Sequence, residues 1–103
     1  MKNKKEIAII VQLKKEIHQA ILSQEKEKAE SLKYLLSLLE KESFRQDSFS
    51  QEKALQVLNR EMKKKKEALV LFEKGSREDL AKKEKQDIVW LEKLLPLALE
   101  EQG

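Results

Sequence analysis

The sequence predicts an all-α bundle of about four helices, and three observations carry that prediction. The 103 residues include only two Gly and one Pro, so turn and breaker residues are few. Leu, Lys, Glu, Gln and Ala, all good helix formers, dominate the composition. Apolar residues recur at intervals of three and four along nearly the whole chain, the spacing of one helix face.

A first helix is expected over about residues 3–23, with Ile7, Ile10, Val11, Ile17 and Ile21 on one stripe and a weakly marked end at Ser23 and Gln24. A second is expected over about 26–43, with Ala29, Leu32, Leu35, Leu36 and Leu39 on its stripe. The polar stretch SFRQDSFS then separates it from a third. Ser48 with Gln51 matches a capping box and Ser50 is a second candidate cap, so the third helix should begin near 49–51.

The stripe of the third helix is Leu55, Leu58, Met62, Leu69 and Phe72, and Gly75 should close it as the left-handed residue. Ser76 reads as the cap of the fourth, with Asp79 placed to bond back to the Ser76 amide and Glu78 and Asp79 suiting the positive helix end. Leu80, Ile88, Leu91 and Leu95 form the fourth stripe, widened by Trp90 and Leu94. Pro96 should stop that helix by about Leu95. The expected organisation is one helical domain over residues 1–96 and a frayed end over 97–103.

Charge makes up 40% of the residues but leaves a net of only +3. Its distribution is uneven. Residues 51–75 hold seven basic and four acidic groups, and residues 76–103 hold five and seven. The local excess comes from Lys63, Lys64, Lys65 and Lys66. The opening MKNKKEIAIIVQLKK has a basic start, but its apolar run, Ile7 to Val11, is too short for a signal core or a membrane span. Glu6, and the lack of any Arg before Arg45, argue against a mitochondrial leader. The expectation is a cytoplasmic protein with no membrane role.

Most catalytic chemistries lack their parts. There are no cysteines, and two glycines do not furnish a phosphate-cradling loop. His18, the one imidazole, has no identifiable partner to tune or orient it, so it reads as a structural or surface residue. Acidic pairs such as Glu73 with Asp79, or Glu84 with Asp87, lack the Glu-x-x-His companions of a helical di-metal site. They read better as a solvated face with local ion pairs, among them Glu78 to Lys82 and Glu61 to Lys65. No cofactor and no metal are expected.

The basic run is the one candidate site. Arg60, Lys63 and Lys64 fall on one flank of the third helix, and Arg77 at the following junction adds a fork-shaped donor. The bland reading is a solubilising helix back. The functional one is a surface for backbone phosphates, blind to sequence. Tyr34, Phe44, Phe49, Phe72 and Trp90 are dispersed along the chain and suggest no base-stacking platform. A competing reading makes Trp90, Leu94 and Leu97 a face that docks a partner helix or a second copy.

The stretch NREMKKKKEALVLFEKGSREDLAKKEKQDIVWLEKLLP resembles the YqeY-like family. Lys63, Glu67, Phe72, Glu73 and Lys74 match its lead-in, and Gly75, Arg77, Asp79, Leu80, Ala81 and Glu84 match its Gly-Arg-x-Asp-Leu-Ala-x-Lys-Glu turn, with Ser76 as an insertion-like shift. Upstream, QEKEKAESLKYLLSLLEKE is similar to the family's second helix, with Lys28 and Lys33 where the family often has arginine. The resemblance covers nearly the whole chain and is most specific over residues 67–96.

The family is in turn similar to the C-terminal region of GatB, one component of the glutamine-dependent tRNA amidotransferases. That implies a helical module linked to tRNA or translation rather than catalytic machinery, with tRNA, or a protein of the translation or amidotransferase machinery, as partner. An accessory component of a carbon–nitrogen ligase is the remaining alternative, and the chain shows no glutaminase nucleophile set or nucleotide loop for such chemistry of its own. Two departures stand out. Leu94 replaces an aromatic common before the family's Leu-Pro, and the sequence ends soon after Pro96, where the resemblance implies a smaller helical tail.

Overall fold

Four helices follow one another, α1 (Ala8–Leu22), α2 (Lys26–Arg45), α3 (Gln51–Lys74) and α4 (Glu78–Gln102), in a computed structural model. It describes residues 7–45 and 49–102, with side chains through Leu95. Ser48 and Leu97, both singled out above, thus fall outside the described backbone and side chains respectively. Three-residue connections fold α1 onto α2 and α3 onto α4, and each helix packs mainly against its hairpin partner. The two hairpins join through α1 against α4 and through the crossing of α2 with α3 and α4. The molecule is elongated, 53 × 29 × 25 Å.

The all-α bundle is as the sequence predicts, but its faces and ends differ in detail. The buried face of α1 is Ile9, Leu13, Ile17 and Ala20, while Ile21 is 52% exposed. The stripe through Ile7, Ile10 and Val11 is therefore a flank, because the run Ile7 to Val11 is apolar all round and allows more than one rotation. In α2 the buried set is Ala29, Leu32, Leu35 and Leu39, as expected. The fully buried part of α3 stops at Met62; beyond it Leu69 and Phe72 are only half-buried.

Ser50 caps α3, its hydroxyl accepting from the Lys53 N–H at 3.2 Å. Gln51 does more than open that helix. Its Oε1 accepts from the Ile9 N–H at 3.1 Å, which satisfies one of the orphan donors of α1, a helix with no cap of its own. A side chain 42 positions away thus ties the start of α3 to the start of α1.

Both hairpin turns are built on six-to-one closures. The Glu25 N–H bonds the Ala20 carbonyl at 2.8 Å and the Gln24 N–H bonds Ile21 at 3.1 Å. The Arg77 N–H bonds Phe72 at 2.8 Å and the Ser76 N–H bonds Glu73 at 3.2 Å. The left-handed residues are Gln24 and Ser76, each at φ 59°. Gly75, at φ −88°, is not the left-handed residue; the closure lies one position later than the glycine suggests. Ser76 consequently does not cap α4, and its amide is taken by Glu73 rather than Asp79.

A measurable consequence follows for this turn. Ser76→Gly relieves a left-handed side chain and should add about 0.5–1 kcal/mol to urea-unfolding stability. Gly75→Ala should also be tolerated, gaining about 0.5 kcal/mol, because an added Cβ would meet the Leu71 carbonyl at 3.4 Å and the Phe72 carbonyl at 4.0 Å, both ordinary contacts. A loss above about 1 kcal/mol for Gly75→Ala would return the left-handed role to the glycine.

Pro96 does not end α4, which continues to Gln102. Proline removes the N–H that would bond four residues back, but the following LALEEQ is made of good helix formers, which carry the backbone past one missing bond. Among the described residues no helix is long and apolar enough to cross a membrane.

Candidate nucleic-acid interface and an interhelical cleft

The four consecutive lysines divide by helix geometry. Lys63, Lys64 and Lys66 are exposed, whereas Lys65 turns inward toward α4. Arg60 and Lys63 have no acidic partner among the described residues. Lys64 approaches Glu61 at 3.8 Å, an exposed ammonium set loosely against a carboxylate that is itself buried. Arg60, Lys63 and Lys64 thus share the outer side of α3. Arg77 does not join them: it stands at the α3–α4 turn, and the ten residues from Lys64 to the end of α3 take about 15 Å of axis. There its guanidinium meets Asp79 at 3.3 Å. That guanidinium, with the Leu80 N–H, holds the exposed Asp79 carboxyl below its ordinary value.

Lys65 anchors a polar network that the sequence did not disclose. Its ammonium lies 3.0 Å from Asp87 and 3.6 Å from Glu84, rather than pairing with Glu61 one turn before it. Asp87 is 7% exposed in its side chain; its other oxygen accepts from the Ser31 hydroxyl at 2.7 Å, and Lys83 reaches it at 3.4 Å. Three helices therefore meet on one carboxylate. Burial alone pushes the Asp87 carboxyl up, but Ser31 and Lys65 outweigh it and hold it below its ordinary 3.8. Burial likewise works against the Lys65 charge, and Asp87 and Glu84 more than restore it, above 10.5. Glu84 keeps one buried oxygen without a hydrogen bond.

Above this network lies a cleft of about 560 Å³ between α2 and α4. Glu27, Glu30 and Tyr34 line it from α2, Lys82, Lys83 and Trp90 from α4, and Lys65 and Asp87 form its floor. Asp79, the partner of Arg77, stands on its wall. Tyr34 and Trp90, dispersed in sequence, thus share one cleft; only the crossing of α2 over α4 brings them together. Leu94 borders Trp90 but is buried in the core, so it adds no exposed surface to the docking face read from the sequence. His18 is exposed on α1. Among the described residues no group of three or more His, Asp or Glu is placed to hold a metal.

The sequence model described as Yqey-like protein matches residues 10–103, all but the first nine. The chain belongs to the YqeY-like family. No curated protein matches it. In this YqeY-like chain, the motif residues of the turn have visible duties: Ala81 is buried, Glu84 faces Lys65, and Arg77 pairs with Asp79 at the cleft wall. The segment that carries the resemblance most specifically is thus the segment that builds the α4 side of the cleft. Asp87 and Ser31, which complete the network, lie outside the motif residues. The one sequence signal for them was Asp87 falling on the apolar stripe of α4, seven residues after Leu80 and four before Leu91.

Proposed function

We propose that this YqeY-like chain is a non-catalytic, cytoplasmic helical module that binds tRNA by its backbone phosphates, serving translation. Arg60, Lys63 and Lys64 on the outer side of α3, with Arg77 at the turn, supply the contacts. One observation carries the reading: two of these cations have no intramolecular ion pair among the described residues, while Lys64 and Arg77 are held only by single contacts, to Glu61 at 3.8 Å and Asp79 at 3.3 Å. Lys65 is committed to Asp87 and Glu84, whereas Arg60 and Lys63 stand exposed with no acidic partner among the described residues. A straight helix of 24 residues, about 36 Å long, presents them on a rigid edge.

Contacts of this kind displace counterions, so affinity must fall with salt. For about four phosphate contacts the slope of log affinity against log salt should lie near −3 to −4. Titrating tRNA at several salt concentrations measures it. Lys63→Glu/Lys64→Glu should weaken binding and reduce the magnitude of the slope by about two. Binding that is absent, or indifferent to both substitutions, would reject this interface.

A further inference from the structure

We infer that the cleft between α2 and α4 holds one unpaired nucleotide of the bound RNA, its base against Tyr34 and Trp90 and its phosphate at Lys82. The inference rests on the RNA-binding reading above and adds a second contact of a different chemical kind. At about 560 Å³ the cleft lies within the roughly 300–1,000 Å³ span of small-ligand sites. Tyr34 is 48% exposed and Trp90 half-buried, so both rings retain open surface toward it. Every base has a π-face, and stacking on such rings is the usual hold on a single strand.

The charges in the cleft give the nucleotide an orientation. On the floor, Lys65 and Lys83 are matched against Asp87 and Glu84, and on the wall Arg77 is matched against Asp79. These cancel. Lys82 on α4 and Glu27 and Glu30 on α2 line the cleft without an ion-pair partner among the described residues. A phosphate is drawn to the α4 side and repelled from the α2 side. The base edge then faces two carboxylates, which only accept hydrogen bonds and so favour bases bearing an exocyclic amino group. Adenine, cytosine and guanine each carry one; uracil offers only its ring N3–H.

Trp90 is the single tryptophan of the chain and reports on its own cleft. Its emission should be titrated with oligo(A), oligo(C) and oligo(U) of equal length and with a fully paired duplex at fixed salt. Oligo(A) and oligo(C) should change the emission saturably, oligo(U) should bind about fivefold more weakly, and the duplex should leave Trp90 unmoved. Tyr34→Ala should weaken the single strands about tenfold, since stacking on one ring contributes on that scale. Lys82→Glu, an exposed change that leaves the core intact, should abolish the response. Far-UV circular dichroism confirms that each variant is folded. If tRNA binds with the expected salt slope while no single strand moves Trp90, or if Lys82→Glu responds as the parent does, the cleft assignment falls and the α3 interface stands. If no RNA binds at all, both fall.

Discussion

Replacing Asp87 with alanine is expected to cost about 3 kcal/mol of folding stability, a fall of some 15 °C in Tm for a chain of this size. The loss exceeds that of an ordinary surface ion pair because of what the substitution leaves behind. Lys65, its side chain 14% exposed, would keep a charge in the interior with only Glu84 at 3.6 Å to answer it. The Ser31 hydroxyl would lose its acceptor at 2.7 Å. Removing both members should behave differently: Lys65→Met/Asp87→Leu takes out the charges together and should recover most of the loss. A double-mutant cycle by urea unfolding makes the comparison. If Asp87→Ala costs under about 1 kcal/mol, or the double variant is worse than either single one, the network is not the joint described here.

The same joint sets a pH dependence whose sign is fixed. Asp87 is held below its ordinary 3.8 in the folded chain, so its stabilisation is complete above that value and disappears as pH falls through the folded-state pKa. Lys65 is held above 10.5, so its share is complete below that value and disappears as pH rises through the folded-state pKa. Between these limits the network contributes fully. Asp87→Ala should therefore reduce stability at neutral pH more than near pH 2, where the parent has begun to lose the same interaction.

The sequence made the helices legible because their signal is local. Spacing at three and four, Ser50 before α3 and the GSRED junction each lie within a few residues of what they specify. What it did not show depends on residues that meet only after folding. Gln51 reads as part of a local capping box, yet it completes α1 from 42 positions away. Lys65 reads as one of four equivalent lysines until α4 supplies Asp87. Tyr34 and Trp90 look unrelated until α2 crosses α4. Local signals also mislead when a second element competes: Gly75 announces a left-handed residue, but hydrogen bonding places it at Ser76. Pro96 announces an end, but the helix formers after it carry the backbone on. The candidate phosphate contacts were legible as a run and illegible as a surface, because which lysine turns inward is set by the partner helix.

Leu58→Ala is expected to destabilise the whole bundle by about 3–4 kcal/mol, whereas Leu69→Ala, three turns along the same helix, should cost about 1 kcal/mol. Leu58 is fully buried, in one cluster with Leu13 of α1, Leu32 and Leu39 of α2 and Leu91 of α4. Truncating it leaves a cavity inside this cluster, which relaxation fills poorly. Leu69 is half-buried beyond Met62, where α3 has left the fully buried part of the core. The two losses should also differ in kind. Leu58→Ala should speed hydrogen exchange across all four helices together, since it removes part of a stability that for a domain of this size totals only about 5–15 kcal/mol. Leu69→Ala should speed exchange mainly in residues 66–84, at the tip of the α3–α4 hairpin, through local opening. The tip carries Arg77 and one end of the cleft, so this opening bears on binding: RNA seated against it should slow exchange there more than in the core. Equal losses for the two leucines, or uniform exchange in both variants, would mean that the hairpin tip belongs to the same cooperative unit as the core.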